Sequence, residues 1–85
     1  MTQDFLKVFD ALPMGTFTGV SNGRQYIVTR QDFAAGNSQK LIAEELGGNG
    51  YISFNLYRLA SGMRLYPCET TQEEVVDFVV NLRPL

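Results

Sequence analysis

The single cysteine, Cys68, is the residue best suited to covalent chemistry. It follows Pro67 and lies three residues before Thr71, where a helix is predicted to begin. The positive end of a helix dipole stabilises a thiolate, so a thiol placed there can act as a nucleophile. Glu69 would oppose the thiolate charge, and no basic residue adjoins Cys68 in the sequence. The sequence therefore favours a small buried thiol at the edge of the core over a catalytic one.

A second group of candidates consists of polar and aromatic residues on one predicted strand. Tyr51, Asn55 and Tyr57 alternate there with Ile52, Phe54 and Leu56, so the two sets face opposite sides of a sheet. Tyrosine combines a large contact area with a hydroxyl group and is enriched at interfaces. This pattern predicts a surface that binds a protein partner or a second copy of the chain.

Arginines and a tyrosine near the end of the sheet form a third group. Arg58, Arg64 and Tyr66 could cluster beside Tyr57 if their strands pair, and arginine with aromatic rings can stack on bases or bind phosphate. The chain has seven basic and nine acidic residues, a net charge of −2. That balance argues against bulk electrostatic binding to nucleic acid or to an anionic membrane. We therefore expect an ordinary solvated sheet edge at this position.

Several classes of chemistry lack the residues they need. The chain contains no histidine, the commonest general base and metal ligand. One cysteine allows neither an internal disulfide nor a cysteine-based zinc site. The Gly-Gly-Asn-Gly segment at 47–50 lacks the Gly-Lys-Ser/Thr ending of a phosphate-binding loop and is typical of a turn. We expect no metal site and no cofactor.

Amphipathic helices are predicted at both ends of the chain. Near the N-terminus the apolar residues recur at helical spacing, Thr2 can cap the first turn, and Pro13 ends the helix. The apolar stripe comprises Phe5, Val8, Phe9 and Leu12. Near the C-terminus, Thr71-Gln-Glu-Glu74 is a capping box. The stripe that follows comprises Val75, Phe78, Val79 and Leu82.

Strands are predicted between the two helices. Residues 15–20 and 24–30 flank Asn22-Gly23, the preferred pair for a type I′ turn. Tyr51–Leu59 is the clearest strand, and residues 63–66 form a short return strand that Pro67 ends. Phe33 is expected to be a buried anchor in a loop. Residues 38–46 have helical propensities but a poor apolar stripe, and we favour a strand because residues 47–50 suit a hairpin loop.

The 85 residues are therefore expected to form a single domain over residues 1–85. Short connections favour an antiparallel meander sheet of four to five strands, and both helices need an apolar face to cover. The predicted fold is an α+β two-layer sandwich with the N-terminal and C-terminal helices on one face. The N-terminal residues do not show the basic and apolar pattern of a signal peptide, and the lone thiol suits a reducing compartment, so the cytoplasm is the expected location. No apolar run is long enough to cross a membrane.

The sequence also resembles a family of small uncharacterised bacterial proteins. The resemblance is carried by Gly-Gly-Asn-Gly-Tyr-Ile-Ser-Phe-Asn-Leu-Tyr-Arg-Leu at 47–59, by Leu-Tyr-Pro-Cys-Glu at 65–69, and by the Val-Val-x-Phe-Val helix. It extends over residues 15–80. Some members of that family are labelled peptide methionine sulfoxide reductase, which implies a cysteine nucleophile, and only Cys68 could fill that role.

Two main hypotheses about function follow. The leading one is a non-enzymatic binding or self-association module that uses the uncovered face or edge of the sheet, with a protein partner or homodimer and no membrane. The alternative is a thiol redox enzyme dependent on Cys68, acting on oxidised methionine. Nucleic-acid binding through Arg58, Arg64 and Tyr66 is a third hypothesis, which the net charge disfavours.

Overall fold

The protein consists of two helices and an antiparallel sheet, in a computed structural model that describes residues 3–85. Thr2, the predicted cap of the first helix, lies outside these residues. A single 3-10 turn at Ala34–Gly36 interrupts the run of strands. In chain order the elements are α1 (Gln3–Ala11), β1 (Gly15–Ser21), β2 (Arg24–Phe33), β3 (Ser38–Glu45), β4 (Tyr51–Leu59), β5 (Gly62–Cys68), α2 (Gln72–Val80) and β6 (Arg83–Pro84).

The sheet has the strand order β5-β4-β3-β2-β1-β6, and every pair is antiparallel. Strands β1 to β5 form the predicted meander, which confirms the α+β class. The sequence prediction of four to five strands missed β6, whose two residues pair with Gly19 and Val20 at the outer edge of β1. Two residues are too few to show any periodicity.

Two-residue loops set the register of two hairpins. Asn22 and Gly23 have φ of 53° and 79°, as the predicted type I′ turn requires, and Val20 lies opposite Gln25. Ala60 and Ser61 close the β4–β5 hairpin, with Leu59 opposite Gly62. Strand β5 continues through Pro67 to Cys68, so the prediction that it ends at Tyr66 is too short.

Both helices pack on one face of the sheet and share one core. The rings of Phe5 and Phe9 on α1 lie 6.1 and 5.9 Å from the ring of Phe54 on β4. On α2, Phe78 meets Tyr26 of β2 edge to face at 4.8 Å. All five side chains are nearly or fully buried, which confirms the two-layer arrangement with both helices on the same side.

Residues 38–46 were the most ambiguous part of the sequence, and residues 38–45 form the strand β3. Leu41 and Ala43 point into the core and are fully buried. Strand β3 lies between β2 and β4, so hydrogen bonds on both edges and burial of one face override the helical propensity of its residues. Phe33, predicted to be a buried anchor, ends β2 and is 49% exposed.

Candidate functional site

The sheet has a second face, which points away from both helices. We call it the open face and define it by the residues that alternate with the core positions on β1 to β5. The assignment follows from the strand pairing and the alternation of buried side chains. Its central members are Ile27, Thr29, Gln31, Lys40, Ile42, Glu44, Tyr51, Ser53, Asn55, Tyr57, Arg64, Tyr66 and Cys68.

The strand pairing arranges the open face in rows that run across the strands. The middle row passes through Thr29, Ile42, Ser53 and Cys68. The row on one side contains Gln31, Lys40, Asn55 and Tyr66. The row on the other side contains Thr18, Ile27, Glu44 and Tyr51. Ile42 on β3 thus occupies the centre of the face.

The open face carries exposed apolar and aromatic side chains. Ile27, Tyr51 and Tyr66 are 44%, 40% and 54% exposed. The rings of Tyr57 and Tyr66 meet edge to face, with centroids 5.6 Å apart, and so form a fixed aromatic pair on neighbouring strands. The solvent-exposed face of an antiparallel sheet normally carries polar side chains. The exposed isoleucine and tyrosine side chains therefore indicate a surface suited to burial.

The structure brings together five of the six binding residues proposed from the sequence. Tyr51, Asn55 and Tyr57 of β4 share the open face with Arg64 and Tyr66 of β5. Tyr57 lies opposite Arg64, and Asn55 lies opposite Tyr66. The side chains therefore form one continuous patch across two strands.

Arg58 is the exception, and its predicted clustering with Arg64 and Tyr66 is wrong. It has the same parity along β4 as Phe54 and Leu56, so its side chain lies on the side of the helices. There its guanidinium binds the carboxylate of Asp10 on α1 and donates from Nε to the Gln39 side-chain oxygen at 2.8 Å. The nucleic-acid hypothesis consequently loses one of its three residues.

The Arg58 contacts belong to a polar network that fixes the end of α1 on the sheet. Gln39 donates to Asp32 at 3.2 Å, and Asp32 accepts from Nε of Arg30 at 3.3 Å. Arg30 is only 4% exposed, and its Nη1 donates to the carbonyl oxygens of Phe9 and Leu12 at 2.6 and 3.1 Å. The Phe9 carbonyl also accepts from the backbone N–H of Leu12 at 3.1 Å, so Arg30 gives it a second donor and provides a donor for the Leu12 carbonyl just beyond the end of the helix. The buried guanidinium of Arg30 therefore has a structural role: it joins the end of α1 to the sheet.

Cys68 lies on the open face, opposite Ser53, and is exposed. The expectation of a thiol buried at the edge of the core is wrong, because β5 continues past Pro67 and its alternation turns Cys68 outward. Helix α2 covers the other side of the sheet, so the dipole argument for an activated thiol loses its geometric basis. The neighbouring and diagonal positions hold Ser53, Asn55, Tyr51 and Tyr66, and none of these is basic.

The edge of the sheet at β5 is less suited than the open face to binding another chain. Leu59 and Gly62 close a two-residue hairpin and therefore form a hydrogen-bonded pair. Every second pair along the two strands does the same, so Arg64 and Tyr66 of β5 are also hydrogen-bonded to β4. Met63, Leu65 and Pro67 then direct their backbone groups outward. Pro67 has no N–H group, and the side chain of Arg64 donates to the Met63 carbonyl at 2.9 Å. Such features are typical of edges that avoid pairing.

The glycine-rich segment at 47–50 forms a loop organised by the carboxylate of Glu45. The backbone N–H of Gly50 donates to Oε1 of Glu45 at 3.0 Å, and Arg24 pairs with the same oxygen at 3.8 Å. A Cβ atom on Gly48 or Gly50 would come within 2.6 Å of this carboxylate. A side chain at either position would displace the Glu45 carboxylate from its place in the loop, and Gly47 has the positive φ expected of the turn.

Residues important to the open face escaped the sequence prediction. Ile27, Ile42, Lys40 and Glu44 lie at or around its centre, although the sequence drew attention to tyrosines. The favoured strand over residues 38–46 puts Ile42, Lys40 and Glu44 on one face, but only pairing with β2 and β4 shows that this face is the open one and that they lie at its centre. The site is therefore centred on β3 as well as β4.

Comparison of the chain with models of protein families, with curated proteins and with solved structures found no match. The resemblance to the small bacterial family and its reductase label stays a prediction. Within residues 3–85, no three histidine, cysteine, aspartate or glutamate side chains come together in a way that could hold a metal ion. No helix in that part of the chain has the length and apolar character needed to cross a membrane.

Proposed function

We propose that the protein is a non-catalytic self-association module in which the open face binds a second copy of the chain. The observation that carries this proposal is the exposure of Ile27, Tyr51 and Tyr66 on a face that neither helix covers. Burial of apolar and aromatic side chains is the main favourable term in protein association. Face-to-face packing would turn the two-layer subunit into a four-layer dimer.

The size of the open face supports an interaction of moderate strength. Five strands about 4.8 Å apart and about seven residues long give a face of roughly 550 Å². Two such faces would bury roughly 1,100 Å² in total, just below the range of about 1,200–2,000 Å² for stable specific interfaces and above the minimum of about 1,000 Å² for a biological one. The dimer is therefore expected to dissociate at concentrations on the order of micromolar.

The charge distribution also favours a protein surface as the occupant. Among the central members of the open face, Lys40, Arg64 and Glu44 are the charged residues, two positive and one negative. Such a patch has little net charge, whereas a nucleic-acid or anionic lipid surface calls for an excess of positive charge. The lone thiol of Cys68 suits a reducing compartment, so the proposal places the module in the cytoplasm.

Sedimentation velocity over a range of concentrations tests the proposal. The wild-type chain is expected to shift from monomer to dimer. Ile42→Arg, at the centre of the face, and Ile27→Arg, at a more exposed position, should both stay monomeric where the wild type is dimeric, because a buried unpaired charge opposes association. Ala11→Arg is the matched control, since Ala11 is exposed at the end of α1, on the side of the sheet that the helices cover.

Two results would overturn the proposal. A wild-type chain that stays monomeric at the highest attainable concentration would exclude the dimer. Equal loss of association in Ala11→Arg would show that added charge, and not the open face, is responsible. Circular dichroism of each variant separates loss of association from loss of folding.

A second candidate function is thiol chemistry at Cys68, and the exposure of this side chain is the observation that favours it. Attack of a thiolate on a methionine sulfoxide would release the thioether and leave a cysteine sulfenic acid. Because the chain has one cysteine, two external thiols would have to reduce that sulfenic acid. The absence of basic neighbours around Cys68 on the open face ranks this candidate below self-association.

A further inference from the structure

Two opposite charges flank the centre of the open face. Lys40 and Glu44 lie on the same side of β3, two positions before and two after Ile42. Four residues of extended chain separate their Cα atoms by about 13 Å, too far for them to pair with each other. Neither side chain makes a hydrogen bond or ion pair with another residue in the described part of the chain. Both are therefore available to a partner.

When the strands of the two facing sheets are aligned, a twofold dimer can place these charges in two ways. If the twofold axis runs along β3, each residue meets its own copy, so that Lys40 faces Lys40 and Glu44 faces Glu44. If the axis instead crosses the strands along the middle row, Lys40 of each copy faces Glu44 of the other. The first arrangement creates two repulsive pairs, because a residue that faces its own copy makes that contact once. The second creates two attractive pairs, because a contact between two different residues occurs twice under twofold symmetry.

We infer that two copies pack with their β3 strands antiparallel, about a twofold axis that crosses the strands at Ile42, and that Lys40 and Glu44 determine this orientation. The inference rests on the proposed self-association and names the residues that specify its geometry. Sheets packed face to face twist by about 30° relative to one another. That twist is a rotation about a line perpendicular to the two sheets. If this line passes through Ile42, the positions nearest to Ile42 move least, so the contacts around it are the most securely placed.

The neighbouring positions are compatible with the same axis. On β4, Asn55 of one copy lies over Tyr51 of the other, which brings an amide to a phenol hydroxyl group. On β2, Gln31 lies over the exposed Ile27. None of these contacts joins like charges, and Ile42 packs on its own copy at the centre. Electrostatic complementarity of this kind contributes mainly to specificity.

Reversal of single charges tests the orientation. In Lys40→Glu, residue 40 of each copy would meet Glu44 of the other, and in Glu44→Lys, residue 44 would meet Lys40. Each variant alone should therefore associate at least about tenfold more weakly than the wild type, because two attractive pairs become repulsive. An equimolar mixture of the two variants should restore association to within about threefold of the wild type, since every facing pair in the heterodimer is again of opposite sign.

The double variant, with Lys40→Glu and Glu44→Lys in one chain, should dimerise like the wild type, and high salt should reduce all of these differences. Gln31→Glu is a matched control because it adds a negative charge on the same row, opposite Ile27. It should weaken association without recovery on mixing with Glu44→Lys.

The outcomes separate the orientation from the self-association itself. If Ile42→Arg is monomeric but both charge variants dimerise normally, the open face is the interface and the inferred axis is wrong. If Lys40→Glu binds the wild type more tightly than the wild type binds itself, the axis runs along β3. If the wild type does not associate at all, the proposed function fails and the orientation fails with it.

Discussion

At the scale of single residues, the most consequential side chain outside the open face is Arg30. It donates to the carbonyl oxygens of Phe9 and Leu12, and its guanidinium carbon lies 4.4 Å from the centre of the Phe9 ring. A buried cation is tolerated only when its donors are paired. Arg30 therefore joins the end of α1 to the middle of the sheet.

Replacement of Arg30 by methionine should destabilise the fold by about 2–4 kcal/mol, because the carbonyl groups of Phe9 and Leu12 and the carboxylate of Asp32 each lose a charged hydrogen-bond donor in a buried site. Methionine keeps an unbranched apolar stem of similar length. Arg83→Met is the matched control: Arg83 also donates to helix-terminal carbonyl groups, those of Val80 and Leu82, but it is exposed.

The control should cost no more than about 1 kcal/mol. Urea unfolding of both variants, followed by circular dichroism, gives the two free energies. Equal losses in Arg30→Met and Arg83→Met would show that burial of the first guanidinium contributes little to stability.

The faces of single residues were predictable wherever the strand had been recognised to its full length. Arg58 follows Ile52, Phe54 and Leu56 in the alternation of β4, so its position on the helix side could have been inferred. Cys68 was misplaced because the predicted strand stopped before Pro67. A proline at an outward-facing edge position removes no hydrogen bond from the sheet, and the strand continues through it.

At the scale of elements, the start of α2 depends on two adjacent threonines with different roles. The Thr71 side chain accepts from the backbone N–H of Glu74 at 3.1 Å, as predicted, while the Glu74 carboxylate accepts from the Thr71 hydroxyl at 3.2 Å. The hydroxyl oxygen of Thr70 is buried and, in the described structure, has no hydrogen-bond partner. Thr71 therefore caps and stabilises the helix, whereas the buried, unpaired hydroxyl of Thr70 lowers its stability.

Thr71→Ala should lower the free energy of unfolding by about 1 kcal/mol, since it removes the N-cap acceptor. Thr70→Val should leave stability unchanged or raise it by up to about 1 kcal/mol, since a buried unpaired hydroxyl is replaced by a methyl group of similar size. Thermal unfolding of both variants measures the contrast. A loss in Thr70→Val equal to that in Thr71→Ala would indicate that the Thr70 hydroxyl has a partner in solution.

Elements with a strong local signal were predicted well, and elements defined by their neighbours were not. The Asn22-Gly23 turn and the apolar stripes of both helices are properties of short segments. Strand β3 was ambiguous because its stability comes from pairing with β2 and β4. Strand β6 exists because Leu82 is buried in the core, which brings the next residues beside β1, and no local pattern encodes that placement.

At the scale of the whole molecule, the two faces of the sheet have different roles: one forms the core, and the other is the proposed association surface. The face under the helices contains the aromatic core and the Arg30 network, and it explains why the subunit folds. The open face contributes nothing to that core but exposes Ile27, Tyr51 and Tyr66. A fold of this size with one uncovered sheet face gains stability when the face is buried, which links association to stability by mass action.

Alkylation of Cys68 distinguishes the two candidate functions in the intact protein. Cys68 is exposed in the subunit but lies in the same row of the open face as Ile42, so dimerisation should protect it. At a protein concentration where about nine tenths of the chain is dimeric, the rate with a maleimide reagent should fall about tenfold from its value in the monomer. Ile42→Arg should react at the fast rate at every concentration.

A catalytic thiol would behave differently. Its rate would exceed that of the unfolded chain, because activation of a nucleophile is a property of the folded site, and it would not depend on protein concentration. Fast alkylation of the wild type at concentrations where sedimentation shows a dimer would place Cys68 outside the interface. A rate that falls as the dimer forms would instead place the one cysteine of this chain on a surface that association covers, where a peptide substrate could not reach it.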